Sequence, residues 1–184
     1  MDFREYYHLE SYLFDKVRVR FAEQGYIGPF DFFCIVIWKA NRAKSKVAKK
    51  LLGTTGVTLD VAVGALTYGI AKQETAKDKL HFLWNAGFRL PMASAILTVL
   101  YPDEFTMYDV RICDMLGEFH NLDNLSTFKN VWQGYQNFKR RVIKSTPAEL
   151  TLRDKDRYLW GKSFYEQLTG DISREFSGDK SDDL

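Results

Sequence analysis

The chain has little cysteine, proline or histidine, and almost no excess of either charge. Its 184 residues include two cysteines, Cys34 and Cys113, four prolines and three histidines. Two thiols cannot supply the four ligands of an iron–sulfur cluster. Both lie in apolar helical patterns and read as buried free thiols. His8, His81 and His120 are scattered without the spacing of a metal-ligand set. No metal and no organic cofactor is expected. Lys and Arg number 26 against 24 Asp and Glu, a formal charge of +2, so bulk charge does not announce nucleic acid and local clusters have to be weighed instead. No apolar run approaches the roughly twenty residues of a membrane helix. The acidic, aromatic start is unlike a signal peptide. A cytoplasmic protein with no membrane partner is expected.

What the chain does have is apolar and aromatic material in helical phase. Hydrophobic residues make up 46% and aromatic residues 15%, enough for the core of one domain at this length. The stretch that organises the rest covers residues 77–116 and reads as helix, tight turn, helix, short loop, helix. Leu80, Leu83 and Trp84 fall at helical spacing. Asn85-Ala86-Gly87 breaks the helix, and Gly87 suits the left-handed C-terminal cap. Pro91 stands in the first turn of the next helix, where a missing N–H is tolerated. Ala93, Ile96, Leu97 and Leu100 give that helix an apolar stripe. Pro102-Asp103 ends it. Asp109 precedes a third helix, residues 110–116. Taken alone, Asp109 is an ordinary helix N-cap and Gly87 an ordinary turn. Taken together, a helix N-terminus suited to phosphate is followed, one helix-length on, by a carboxylate.

The flanking segments add two features. Residues 1–28 read as an N-terminal docking helix, with Tyr7, Leu9, Tyr12, Leu13 and Val17 available for packing, and a turn. From Pro29-Phe30 an apolar helix containing Phe32, Phe33, Val36 and Ile37 gives way near Trp38 to a dense basic run: Lys39, Arg42, Lys44, Lys46, Lys49 and Lys50. Such a run suits a phosphate-facing surface, although by itself it more often marks a solvated helix face. Residues 57–68 fit strand or helix. Later helices are expected over 127–144 and 152–168, the first with Phe128, Val131, Trp132, Tyr135 and Phe138 on one face. Residues 169–184 read as a disordered tail.

The order of these features, an apolar helix ending at Asn41, a hairpin with Gly87, then Asp109, resembles the helix-hairpin-helix DNA glycosylases, the HhH-GPD superfamily that includes endonuclease III. The resemblance covers roughly residues 29–168. It implies an all-α fold of two helical lobes, with the hairpin and Asp109 facing the cleft between them. It also implies a monomer that binds double-stranded DNA and so associates with the nucleoid. Asp109 takes the place of the catalytic carboxylate. Asn41 takes the place of the residue that fills the gap left by a flipped-out base. The DNA-facing set is then Lys39, Asn41, Arg42, Lys44, Lys46, Gly87, Phe88, Arg89 and Arg111. Trp38 is a candidate for the base pocket, with a core role favoured over it.

The hairpin departs from the family pattern twice. Gly87-Phe88-Arg89 carries arginine in place of the second glycine. Pro91 stands where strand-cleaving members carry a lysine that forms an imine with the sugar. The expected activity is therefore that of a monofunctional DNA N-glycosylase, which removes a damaged, mismatched or modified base by hydrolysis and leaves an abasic site without cutting the strand. The same chemistry would serve host repair or attack on modified foreign DNA. The alternatives are a catalytically inactive helix-hairpin-helix protein that grips DNA, and a small helical interaction protein.

Overall fold

A computed structural model describes residues 3–53 and 56–176. Among these the protein is all-helical, without strands. The elements are α1 (Leu9–Tyr12) and α2 (Arg18–Gln24), joined by a wide turn over Leu13–Val17, then α3 (Pro29–Ala40), α4 (Lys44–Leu52), α5 (Leu59–Ala71), α6 (Ala76–Asn85) and α7 (Leu90–Leu100). They continue with α8 (Val110–Leu116), α9 (Phe128–Lys144) and α10 (Leu152–Asp171). The ambiguous stretch after residue 57 is helical. Thr58 caps α5 by accepting the amide of Val61 at 3.4 Å. The tail expectation is partly corrected: the last helix runs past Leu168 to Asp171 and continues as a wide turn over Ile172–Phe176. Residues 177–184 lie outside the described residues. No helix among the described residues is long and apolar enough to cross a membrane.

The arrangement centres on α7. Every residue from Ala93 to Leu100 is buried, the signature of a helix packed on all sides. It lies against α2, α3 and α6. The small residues Ala93, Ser94 and Ala95, all buried, allow neighbours to approach closely. A continuous apolar cluster joins this helix to Phe32 and Ile35 of α3, Ile70 of α5, Leu80 and Leu83 of α6, and Tyr135 and Phe138 of α9. Gly69 lets α5 and α6 come together, since a Cβ there would lie 2.3 Å from the ring of Phe82. Both cysteines are buried free thiols. Burial pushes each thiol up to about 11, far from the range of a reactive thiolate at neutral pH.

Between α7 and α8 the chain is extended and buried over residues 105–108. A buried segment outside helix or sheet must find partners for its backbone groups elsewhere. The Tyr135 hydroxyl meets two of them, accepting the Thr106 amide at 3.1 Å and donating to the Thr106 carbonyl at 2.8 Å. Tyr135→Phe removes both at a site with no exposure. It is expected to cost about 1–3 kcal/mol in denaturant unfolding; an unchanged unfolding midpoint would contradict this role.

Candidate functional site

The hairpin forms as its residues require. The amides of Gly87 and Phe88 turn back to the carbonyls of Trp84 and Leu83, both at 2.9 Å, closing α6 in a Schellman motif. Gly87 has φ +81°, and a Cβ there would lie 2.6 Å from Lys50 Nζ. The Lys50 ammonium donates to the Gly87 carbonyl at 2.8 Å, which ties the basic helix α4 to the hairpin. The assignment of Phe88 as a DNA contact is corrected for its side chain: the ring is 3% exposed and packs against Phe32. Arg89 is exposed at the N-cap of α7, and its guanidinium lies 4.9 Å from the ring centre of Trp84. Pro91 stands in the first turn of α7.

Asn41, Arg42, Lys44 and Lys46 are exposed on the short turn after α3 and on α4. Lys44 donates to the Asn41 side chain at 3.3 Å. Lys50, also exposed on α4, reaches the hairpin at Gly87. Lys39, grouped with them from sequence, points elsewhere.

Asp109 is fixed from both sides. Its Oδ1 accepts the Arg111 amide at 3.0 Å as the N-cap of α8. Its Oδ2 is 2.5 Å from Lys39 Nζ. Lys39 also donates to the Tyr108 carbonyl at 3.2 Å, and its side chain is only 10% exposed. The Arg111 side chain does not reach the carboxylate. It hydrogen-bonds Gln167 at 2.9 Å and stacks 5.3 Å from the ring centre of Trp160, both on α10.

Pro91 takes the place of a hairpin lysine, but Lys39 of α3 sets an amine beside the Asp109 carboxylate. Lys77 and Lys79, the lysines nearest the hairpin in sequence, are on α6. Lys79 is buried and engaged with Glu104 at 3.1 Å.

Two cavities meet at the Lys39–Asp109 pair. One, of about 450 Å³, is lined by Trp38, Trp160 and Met107 together with Glu10, Arg153, Asp156 and Arg157. The other, of about 290 Å³, brings Pro91 of the hairpin to the same pair, beside Tyr108 and Cys113. Trp38 is half-buried and serves both the wall and the core. Its ring centre lies 5.1 Å from the Arg153 guanidinium, which is also 4.8 Å from the ring centre of the adjoining Phe14.

Arg153 bridges Glu10, at 2.7 Å, and Asp156. The Asp156 carboxylate in turn accepts the Met107 amide at 3.1 Å and the Thr106 hydroxyl at 3.3 Å. Sequence reasoning anticipated α10 as a helix but gave it no part in the site. The available signal was phase: Asp156 shares the spacing of the buried Leu159 and Ser163, so a carboxylate falls on the inward face, where an unpaired charge is costly.

No family model matches the chain, and no curated protein or solved structure is significantly similar to it.

Burial pushes the Asp156 carboxyl up to about 6, against the opposing pull of Arg153 and the Met107 amide. The unfolded chain releases that proton near the ordinary carboxylate value of about 4, whereas the folded chain holds it to about 6. Folding is therefore favoured by the extra proton below about pH 4, and this contribution is lost as pH rises to 6. Two units amount to roughly 3 kcal/mol. The stability of wild type relative to Asp156→Asn is expected to fall by that order between pH 4 and 7. A pH-independent difference in unfolding free energy would refute it.

Proposed function

We propose that the protein is a DNA N-glycosylase of the helix-hairpin-helix kind, its helices arranged as two lobes about the cavity at Asp109. The observation that carries this reading is the placement of Asp109. It caps α8, the next helix after the hairpin, and lines a cavity that Trp38 and Trp160 also line. A cavity of about 450 Å³ is within the usual range for small-molecule sites, and indole walls suit a planar base taken out of the stack. The exposed cations of α4 and the hairpin's Arg89 supply the charge for a phosphate backbone.

In the proposed reaction the target nucleotide enters between the indoles. As the N-glycosidic bond breaks, positive charge develops on the deoxyribose. The Asp109 carboxylate stabilises it and orients the incoming nucleophile. Lys39 must share Asp109 with the sugar, because the two are paired before substrate arrives. This pairing is also what favours the alternative, a hairpin protein that grips DNA without releasing a base.

Incubation with duplexes bearing different damaged, mismatched or modified bases, followed by alkali, separates the two. Base release is expected on at least one of them. Asp109→Asn should abolish that release while duplex binding persists, because Asn caps a helix as well as Asp does and the fold is preserved. Turnover by Asp109→Asn would remove Asp109 from the chemistry.

The basic face gives an independent measurement. Lys44→Ala and Lys46→Ala should each weaken duplex binding irrespective of sequence and reduce the log–log salt slope by about 1. An unchanged slope in both variants would move the DNA-binding surface away from α4.

A further inference from the structure

Packing leaves an apolar stripe of α10 unused. Trp160, Phe164, Leu168 and Ile172 recur every four residues and all are exposed, Trp160 by 41% and Phe164 by 49%. The inward side of the helix is formed instead by Asp156, Leu159 and Ser163. Helix residues four apart are neighbours on one face. The rings of Trp160 and Phe164 show it: they are parallel to within 5°, with their centres 6.0 Å apart. One end of this pair belongs to the site already described, since Trp160 lines the larger cavity at Asp109. Phe164 stands about one turn further along the same helix. The Arg111 guanidinium lies 5.3 Å from the Trp160 ring centre and donates to the Gln167 side chain at 2.9 Å. Among the described residues it has no carboxylate partner, so its charge is free to meet an anion.

We infer that Trp160 and Phe164 form a stacking ledge for an unpaired base next to the nucleotide in the cavity, with Arg111 holding the backbone phosphate beside it. The inference rests on the reading that the cavity at Asp109 receives a nucleotide of DNA. Because Trp160 is both a wall of the cavity and the start of the ledge, the two surfaces are continuous. A strand whose nucleotide fills the cavity meets Phe164 with a neighbouring base. Aromatic faces stack on bases of any identity, and an adjacent cation meets the backbone. An apolar protein partner would cover the rings but leave the Arg111 charge unmet, whereas a phosphodiester supplies the anion. Bases inside a duplex present only their edges in the grooves, their faces being covered by the pairs above and below. The ledge therefore selects unpaired bases. The substrate class is DNA with at least two adjacent nucleotides out of the duplex, in a loop or bubble, in preference to a fully paired duplex.

The test uses the full chain and three labelled DNAs with the same flanking sequence: fully paired, with one unpaired thymidine, and with three consecutive unpaired thymidines. Binding is read by fluorescence anisotropy at fixed salt. Wild type should bind the three-nucleotide loop about tenfold more tightly than the single unpaired nucleotide, the order expected for adding one stack of base on ring. Phe164→Ala and Phe164→Leu should both lose that gain, since leucine keeps the apolar area but has no ring face. Phe164→Tyr should keep it. Phe164 is exposed and takes no part in the core cluster, so all three variants should unfold at the wild-type temperature. Equal binding of the two loops by wild type overturns the inference and leaves the glycosylase reading in place. A gain that survives in Phe164→Leu shows apolar contact without stacking and also overturns it. Self-association of wild type that Phe164→Ala abolishes assigns the face to a second copy and overturns it as well. Failure of wild type to bind any of the DNAs overturns the inference together with the reading beneath it.

Discussion

The structure depends on how the extended segment at residues 105–108 is held. This short piece of chain runs through the interior with no helix or sheet to satisfy it, and its backbone groups are met by side chains from four different helices. Ser94 on α7 takes the Tyr108 amide at 3.0 Å. Tyr135 on α9 brackets Thr106. Asp156 on α10 takes the Met107 amide, and Lys39 on α3 takes the Tyr108 carbonyl. An unmet backbone group at this depth costs on the order of a full desolvation penalty, so these helices cannot shift independently. Asp109 is the next residue in the chain. The precision with which its carboxylate is placed is inherited from that clamp.

The same logic explains the charges gathered around the clamp. Asp156 is 1% exposed and is tolerable there only because Arg153 pairs with it while the Thr106 hydroxyl and Met107 amide fill its other oxygen. Arg153 in turn packs against the adjoining rings of Phe14 and Trp38, so its charge is met by carboxylates and also by aromatic faces. The N-terminal helix is drawn into the site through this residue, since Glu10 completes the set. Removing one partner of such a network leaves the others buried and unpaired, which is why it acts as a unit. One wall of the cavity is therefore also part of the support for the segment beneath it.

Local signals in the chain were read correctly wherever the physics is local. Gly87 is left-handed, Pro91 is in the first turn of its helix, and Asp109 caps α8, because each of these depends on neighbours within a turn or two. Phe88 was misread because it stands in a turn. Turn residues usually face solvent, but here the closure of α6 swings the ring under the hairpin onto Phe32. Lys39 was misread for a related reason. It begins a basic run, yet it occupies the last turn of α3 and faces α8, whereas the run proper belongs to the next helix. The charges of α10 escaped notice because nothing within that helix reveals that its inward face meets a buried loop fifty residues earlier in the chain.

The sequence by itself determined the hairpin, its glycine turn, the caps and the carboxylate that follows, since periodicity and capping are properties of contiguous residues; it left residues 57–68 open between strand and helix. Only the tertiary structure decided that Lys39 meets Asp109, that Trp38 and Trp160 line one cavity, and that Asp156 anchors the segment between α7 and α8. Those pairings join residues separated by tens of positions. They are set by how helices pack around α7, and no spacing along the chain encodes them.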